Sequence, residues 1–228
     1  MEYAFMEFSA AVLEKFPGIC VVEGDITSVS ITAENLGLEA LKVDVARTIG
    51  SQYTLEKVKD DPVFRAYRDF FWSVGIDPTK TRPASEALVR RLLSGGKLPK
   101  INTAVDAYNL ASALSGVPIA AFDADKLEGS LTMRFAAEGE TFRGIGMKET
   151  IALKSNQVIL TDSKKIIAIY PYRDSDDTKV TMDTKNIHIV SCGVPRIDKN
   201  KVLEAYGLCA RYLKEYAGGS PSDPAPYP

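Results

Sequence analysis

The sequence contains very little histidine and cysteine. His188 is the single histidine among 228 residues, and the three cysteines, Cys20, Cys192 and Cys209, form no CxxC pair. This spacing excludes the common zinc motifs and argues against a disulfide framework. A serine-type triad would need His188, yet no GxSxG motif accompanies it, so His188 is interpreted as an exposed or hydrogen-bonded strand residue. We expect a protein of the reducing cytoplasm that uses neither a metal nor another cofactor.

Long apolar runs, nucleotide-binding glycine motifs and a charge excess are also missing. No apolar segment approaches the ~20 residues needed to span a bilayer, and the early acids of MEYAFMEFSAAVLEKF do not suit a signal peptide. Neither GxGxxG nor GxxxxGK[ST] occurs, which removes the support for those two phosphate-binding sites. With 28 Lys plus Arg against 30 Asp plus Glu, any nucleic acid must be bound by a local patch.

Apolar residues make up 45% of the chain, and their periodicity changes near its middle. Helical spacing, with Pro, Asn and Gly at the expected ends, predicts helices near residues 38–45, 62–75, 81–96, 102–115 and 203–213. Alternation predicts strands at residues 19–22, 26–31, 130–136, 158–162, 165–170 and 186–190. The fold class is therefore α/β (α+β), a single domain over residues 1–217 with a mixed β-sheet flanked by helices. Residues 218–228 carry four prolines and are expected to form a flexible or extended tail.

Two aspartates stand one residue apart in the segment GVPIAAFDADKLEG, residues 116–129. A calcium loop that began at Asp123 would need an acid and a glycine where Leu127 and Glu128 stand. Asp123 and Asp125 are therefore interpreted as turn and cap residues, because Asp side chains readily accept hydrogen bonds from nearby backbone N–H groups.

A basic cluster lies between residues 80 and 100. It contains one acid, Glu86, and six cations, which are Lys80, Arg82, Arg90, Arg91, Lys97 and Lys100. A solvated helix face and a phosphate-binding strip are both compatible with this pattern.

The order of residues after this cluster resembles a known family. LPKINTAVDAYNLASALSGVPIAAFDADKLEGSLTMRFAAEGETF, residues 98–142, is similar to the hydrolytic editing module of the phenylalanyl-tRNA synthetase beta chain. The shared order is an Asn, a Val-Asp, an Asn three residues further, a G-x-P, and then AFDxDKLxG. Downstream, TKVTMDTKNIHIV resembles the T-x-N strand of that module, and residues 67–96 resemble the segment that precedes it in freestanding, single-domain relatives. The resemblance covers roughly residues 60 to 215.

The resemblance implies a module that binds the aminoacylated 3′ end of tRNA and hydrolyses the ester of a wrongly attached amino acid. It also implies possible contact with an aminoacyl-tRNA synthetase. The residues matched to the catalytic group are Asn102, Asp106, Asn109, Thr184 and Asn186. The residues assigned to substrate binding are Phe122, Tyr170, Tyr172, Arg173, His188 and Val190. The six cations of the basic cluster are assigned to tRNA.

The sequence departs from the family at the expected substrate pocket. Ala120-Ala121 stands where the synthetases carry His-Ala, and the acidic residue that recognises a tyrosine hydroxyl aligns near Val190. YPYRDSDD, residues 170–177, replaces a glycine-rich segment. A pocket without its hydroxyl-binding acid loses discrimination, so tyrosyl-tRNA is not the expected substrate. Two functions stay open: a deacylase acting in trans on another aminoacyl-tRNA, and a non-catalytic RNA-binding or amino-acid-binding module.

Overall fold

The structure, a computed structural model, describes residues 6–228. Within these residues lie six α-helices: α1 (Ala10–Lys15), α2 (Leu36–Gln52), α3 (Pro62–Ser73), α4 (Ala84–Leu93), α5 (Thr103–Ser115) and α6 (Lys199–Ala217). Side-chain oxygens cap the first turns of four of them, with Asn35, Asp61, Asn102 and Asp198 each accepting a backbone N–H. The helices expected near residues 62–75, 81–96 and 102–115 and near the end of the chain are confirmed.

The described strands form two five-stranded sheets and one two-stranded sheet. The first sheet has the order β1 (Glu7–Phe8), β4 (Thr132–Phe135), β7 (Val158–Thr161), β8 (Ile166–Ile169) and β9 (Arg173–Asp174). The second sheet contains β2 (Cys20–Thr27), β10 (Ile187–Gly193) and β3 (Ile119–Asp123), with β11 (Ser220–Pro221) and β12 (Ala225–Tyr227) on the outer edge of β2. The strands β5 (Thr141–Phe142) and β6 (Ile151–Ala152) pair with each other. The β1–β4 pair is parallel and its neighbours are antiparallel, so the first sheet is mixed.

Two features of the sheets differ from the sequence prediction. A single strand, β2, replaces the two strands expected at residues 19–22 and 26–31. Gly24 lies in its middle, where a Cβ atom would come within 2.1 Å of the Tyr206 hydroxyl oxygen of α6. Gly24 therefore allows α6 to pack closely against β2, and the strand continues through it. The single mixed sheet expected from the sequence is also replaced by two separate sheets. In the second, β2 and β10 pair across 163 residues of chain between Asp25 and His188.

Buried tyrosines join α3 and the first sheet to the second sheet. The hydroxyl of Tyr67 in α3 donates to the Cys192 carbonyl at 2.7 Å, and the hydroxyl of Tyr170 donates to the Gly193 carbonyl at 2.7 Å. The ring of Tyr170 also meets Phe70 edge to face, with centroids 6.1 Å apart. Both tyrosines are buried, so the end of β10 is fixed from two sides.

The C-terminal residues are extended, as expected, but they are bound to the domain. Ser222 exchanges two hydrogen bonds with Asp25 of β2, donating its N–H to the Asp25 carbonyl and accepting the Asp25 N–H on its hydroxyl oxygen. The expectation of a flexible tail at residues 218–228 therefore needs correction. The edge of β2 offers unpaired backbone groups, and an outer strand tolerates proline because its N–H need not pair.

Across residues 6–228 no helix combines the length and apolar character that a membrane crossing requires.

Candidate functional site

A cavity of about 70 Å³ lies at the free edge of β3, where the second sheet meets the end of β8. Pro118, Ile119 and Ala120 border it on the β3 side, and Cys192 of β10 lies beside them. The opposite wall consists of Ile169, Tyr170, Pro171 and Tyr172 in the turn from β8 to β9, and the Tyr170–Pro171 peptide bond is cis. Ala84, the first residue of α4, lies at the same cavity. Asp174 of β9 is the only charged residue among those that line it.

The Asp174 carboxylate is partly buried against the edge of β3. Burial raises its pKa to about 7, and the Ala121 N–H that it accepts and the charge of Arg173 only partly oppose this rise. The negative charge of Asp174 also affects two neighbouring groups. Burial is the largest cause of the raised pKa values of Tyr108 and Cys192, and the charge of Asp174 is the second largest. A carboxyl group that titrates near neutral pH at a cavity wall is typical of a functional site.

The backbone of β3 presents a row of N–H groups on the side away from β10. The alternation of the β3–β10 ladder places the N–H groups of residues 119, 121 and 123 in this row. The Asp123 N–H donates to the Thr178 carbonyl at 2.8 Å, and the Ala121 N–H donates to Asp174. The Ile119 N–H belongs to the same row and borders the cavity, where it can donate a hydrogen bond to an oxygen of a bound molecule.

Two of the three predicted catalytic residues of α5 have structural partners. The Asn102 side chain caps α5 by accepting the Val105 N–H at 2.9 Å. Asp106 binds the Lys42 ammonium at 2.7 Å and accepts the Ile101 N–H at 3.0 Å. Asn109 is half-buried.

The other two predicted catalytic residues hold the turn after β3. The Thr184 hydroxyl donates to Asp123 at 2.8 Å, and the Asn186 amide donates to Asp125 at 3.0 Å. Asp123 also caps the 3₁₀ turn Ala124–Lys126, which confirms the interpretation of the two aspartates as turn and cap residues. Between residues 6 and 228 no direct hydrogen bond joins this pair to the polar residues of α5, so their common role in catalysis stays a prediction.

The predicted substrate-binding residues divide into two groups. Tyr170 and Tyr172 line the cavity, and the Arg173 guanidinium lies 5.0 Å from the centre of the Tyr172 ring. Phe122 and Val190 are fully buried in the second sheet. Only the first group is therefore in reach of a molecule in the cavity.

His188 lies in a buried charge cluster on β2 and β10. Its Nδ1 is 2.8 Å from an Asp25 carboxylate oxygen, and its Nε2 is 3.3 Å from an oxygen of Glu23. Burial lowers its pKa, but the hydrogen bonds and charges of the two carboxylates outweigh this and raise the pKa to about 9. Of the two states expected from the sequence, the hydrogen-bonded one is confirmed.

The basic cluster is partly neutralised. The Arg90 guanidinium binds the buried Glu86 at 2.7 Å, and Lys100 pairs with Glu34. Arg91 donates to the Lys97 carbonyl at 2.6 Å.

Three cations of the cluster are exposed and have neither an ion pair nor a side-chain hydrogen bond within residues 6–228: Lys80, Arg82 and Lys97. Arg82 stands two residues before Ala84, at the cavity. These three residues are the ones available to phosphates.

The sequence places Asp174, together with Tyr170, Tyr172 and Arg173, in the segment where specificity would have to be rebuilt, but it does not indicate that this carboxyl group is partly buried at the edge of β3. The residue opens the acidic run DSDD, which by composition indicates a loop. Its position depends on the packing of β9 beside β3, and no local sequence signal predicts that contact.

Comparison with known proteins places the chain among synthetase relatives. Residues 66–218 match the family described as the B3/4 domain. The phenylalanine–tRNA ligase beta subunit of Fusobacterium nucleatum is 30% identical over 147 residues, which are 64% of this chain and 18% of that protein. The corresponding subunit of a Synechococcus strain is 27% identical over 222 residues, 88% of this chain and 27% of that protein. The chain thus spans less than a third of the length of these relatives.

A solved structure shares the fold. An N-terminal fragment of the phenylalanyl-tRNA synthetase beta subunit from Pyrococcus horikoshii matches with a TM-score of 0.54, covering 97% of this chain and 50% of the fragment at 17% sequence identity. Because the family match extends over more than half of the sequence, the chain belongs to the B3/4 domain family, homologous to part of the phenylalanyl-tRNA synthetase beta subunit.

Proposed function

We propose that this protein is a trans-acting aminoacyl-tRNA deacylase of the cytoplasm, which hydrolyses the ester between a wrongly attached amino acid and tRNA. The observation that carries the proposal is the cavity at the edge of β3, which combines apolar walls, one carboxylate and outward backbone N–H groups. It adjoins the FD motif through which the chain resembles the editing module.

The reaction needs little from the protein, because an aminoacyl ester is already activated. A water oxygen forms a bond to the ester carbonyl carbon, and the bond from that carbon to the ribose oxygen breaks. One water proton passes to the ribose oxygen, and the amino acid leaves as its carboxylic acid. In this proposal the Ile119 N–H stabilises the negative charge on the carbonyl oxygen, and the terminal ribose hydroxyl helps to hold the water.

Thr184 and Asn186 act in this scheme as positioning residues. Both donate to aspartates of the turn after β3, so they fix the end of the strand whose N–H groups face the substrate. Asn102 and Asp106 likewise hold the start of α5. Asn109 stays a predicted contact to the substrate.

The tRNA contacts are assigned to the three exposed cations Lys80, Arg82 and Lys97. They precede or follow α4, whose first residue lies at the cavity. Phosphates held there would direct the 3′ end of a tRNA toward β3.

A second candidate function is a module that binds aminoacyl-tRNA without hydrolysing it. The observation that favours it is that four of the five predicted catalytic residues are occupied by structural hydrogen bonds: Asn102, Asp106, Thr184 and Asn186.

A deacylation screen with a panel of purified aminoacyl-tRNAs distinguishes the two functions. The proposal predicts protein-dependent release of at least one amino acid. Tight binding of a charged tRNA without release of any amino acid would favour the binding module, and neither binding nor release would reject both.

A further inference from the structure

The size of the cavity limits the amino acid that it can receive. An apolar cavity that accepts a benzene ring has a volume of about 150 Å³, roughly twice the 70 Å³ found here. The wall does not yield easily, because Tyr170 is buried, bonded to the Gly193 carbonyl and packed against Phe70. A phenylalanine or tyrosine side chain is therefore too large, and a side chain of about two to four heavy atoms has a suitable size.

The polar groups of the cavity limit the chemistry of that side chain. The Tyr170 hydroxyl is bonded elsewhere, and the Cys192 thiol is directed at the Val190 carbonyl at 3.4 Å. Asp174 has spare capacity, because a carboxylate offers about four acceptor positions and the Ala121 N–H uses one. The Arg173 guanidinium donates to the Ile145 carbonyl at 2.9 Å, and in the described structure it forms no salt bridge with the Asp174 carboxylate.

A hydroxyl is the group that suits this carboxyl best. With a pKa of about 7, Asp174 is present both ionised and protonated at neutral pH. A hydroxyl donates to the ionised form and accepts from the protonated form, whereas an ammonium group has no lone pair for the second form. A purely apolar side chain would leave the remaining acceptor positions of this partly buried carboxyl unpaired.

We propose that the cavity receives a small side chain that carries a hydroxyl, of the serine or threonine class, and that Asp174 accepts the hydrogen bond from this hydroxyl. The assignment rests on the proposed function and names its substrate class. Asp174 is then the residue that determines specificity, and it takes the place of the acid that the synthetase module uses for tyrosine.

Threonine and valine test the assignment sharply, because their side chains have nearly the same shape and differ in one hydroxyl. The probes are adenosines whose 3′ oxygen is replaced by nitrogen, so that threonine or valine is attached by an amide that is not hydrolysed. Calorimetry measures the affinity of the full chain for each. The proposal predicts that the threonyl probe binds about 10- to 100-fold more tightly.

Variants of Asp174 locate the origin of this preference. In Asp174→Leu the ratio of the two affinities should fall to about one, and in Asp174→Asn, which still accepts a hydrogen bond, most of the preference should remain. Asp177→Leu, at an exposed acid three residues away, is the matched control and should keep the full ratio. Thermal unfolding and circular dichroism verify that each variant is folded.

Two results would overturn the assignment. One is equal affinity of the wild-type protein for both probes. The other is an Asp174→Leu variant that binds both probes more weakly with an unchanged ratio, which would indicate contact with the common α-ammonium group. A preference for the threonyl probe without hydrolysis of any ester would reject the proposed function but support the assignment of the side chain. Hydrolysis of an ester without a preference for the threonyl probe would support the proposed function but reject the assignment.

Discussion

Ala120 of β3 lies directly opposite Val190 of β10 in the antiparallel ladder. The resemblance to the synthetase module assigns a histidine to the first position and an acidic residue near the second. Both are apolar in this chain, and the nearby carboxylate comes instead from Asp174 on the first sheet. In this chain the carboxylate at the cavity thus comes from the first sheet and not from β3 or β10.

Filling the cavity should abolish activity without unfolding the protein. Ala120→Leu adds three heavy atoms at the β3 wall, so we expect at least a tenfold loss of kcat/KM for deacylation. Overpacking should cost about 1–3 kcal/mol of unfolding free energy. Deacylation assays and urea unfolding measure the two effects. Ala87→Leu, at an exposed position of α4, is the control, and full activity in Ala120→Leu would place the reaction elsewhere.

The buried cluster around His188 should make stability depend on pH. The folded-state pKa of about 9 lies above the ordinary value of 6.5, so the folded protein holds this proton more tightly than the unfolded chain. Its stabilising contribution is complete below about pH 6.5 and is lost as the pH rises through about 9. Urea unfolding between pH 6 and 9.5 measures the slope.

Replacement of His188 provides the companion test of the cluster. His188→Gln leaves the Glu23 and Asp25 carboxylates without their cation, which should cost about 3–5 kcal/mol near pH 6.5 and remove most of the slope. An undiminished slope in this variant would assign the pH dependence to another group.

The exposed cations near α4 should contribute most of the salt dependence of tRNA binding. Removing Lys80, Arg82 and Lys97 together should lower the slope of log K against log salt by about 2–3, because each phosphate contact contributes nearly one unit. Lys100→Ala should have a smaller effect, since Glu34 already neutralises Lys100. Lys214→Ala on α6 is the control, and an unchanged slope in the triple variant would move the tRNA surface away from α4.

The C-terminal strands should protect the edge of β2. In a protein that ends at Gly218, the Asp25 N–H loses its Ser222 acceptor, so hydrogen exchange at Asp25 should become faster. The amide of Val190, in the central strand β10, is the internal reference and should stay protected. Equal protection of Asp25 in both proteins would mean that β11 and β12 do not pair with β2 in solution.

The helices could be predicted because their signals are local. Asp61 and Pro62 begin α3, and Asn102 caps α5, each within three residues of the groups they serve. The arrangement of the sheets could not be predicted in the same way. The pairing of β2 with β12 joins segments about 200 residues apart, and nothing in either segment specifies its partner.

The candidate site divides in a similar way. The order of motifs located the FD segment and the unusual Ala120, because both are visible in the sequence. The burial of Asp174 was not predictable, since it results from the packing of a two-residue strand, β9, beside β3. The structural roles of Thr184 and Asn186 likewise depend on acids 61 residues away.

The central claim is tested most directly by single-turnover deacylation, with the protein in excess over threonyl-tRNA and, separately, tyrosyl-tRNA. We expect hydrolysis of the threonyl ester roughly a hundredfold above the spontaneous rate, little acceleration with the tyrosyl ester, and loss of the threonyl activity in Ala120→Leu. Spontaneous rates for both esters at saturating protein would contradict the central claim.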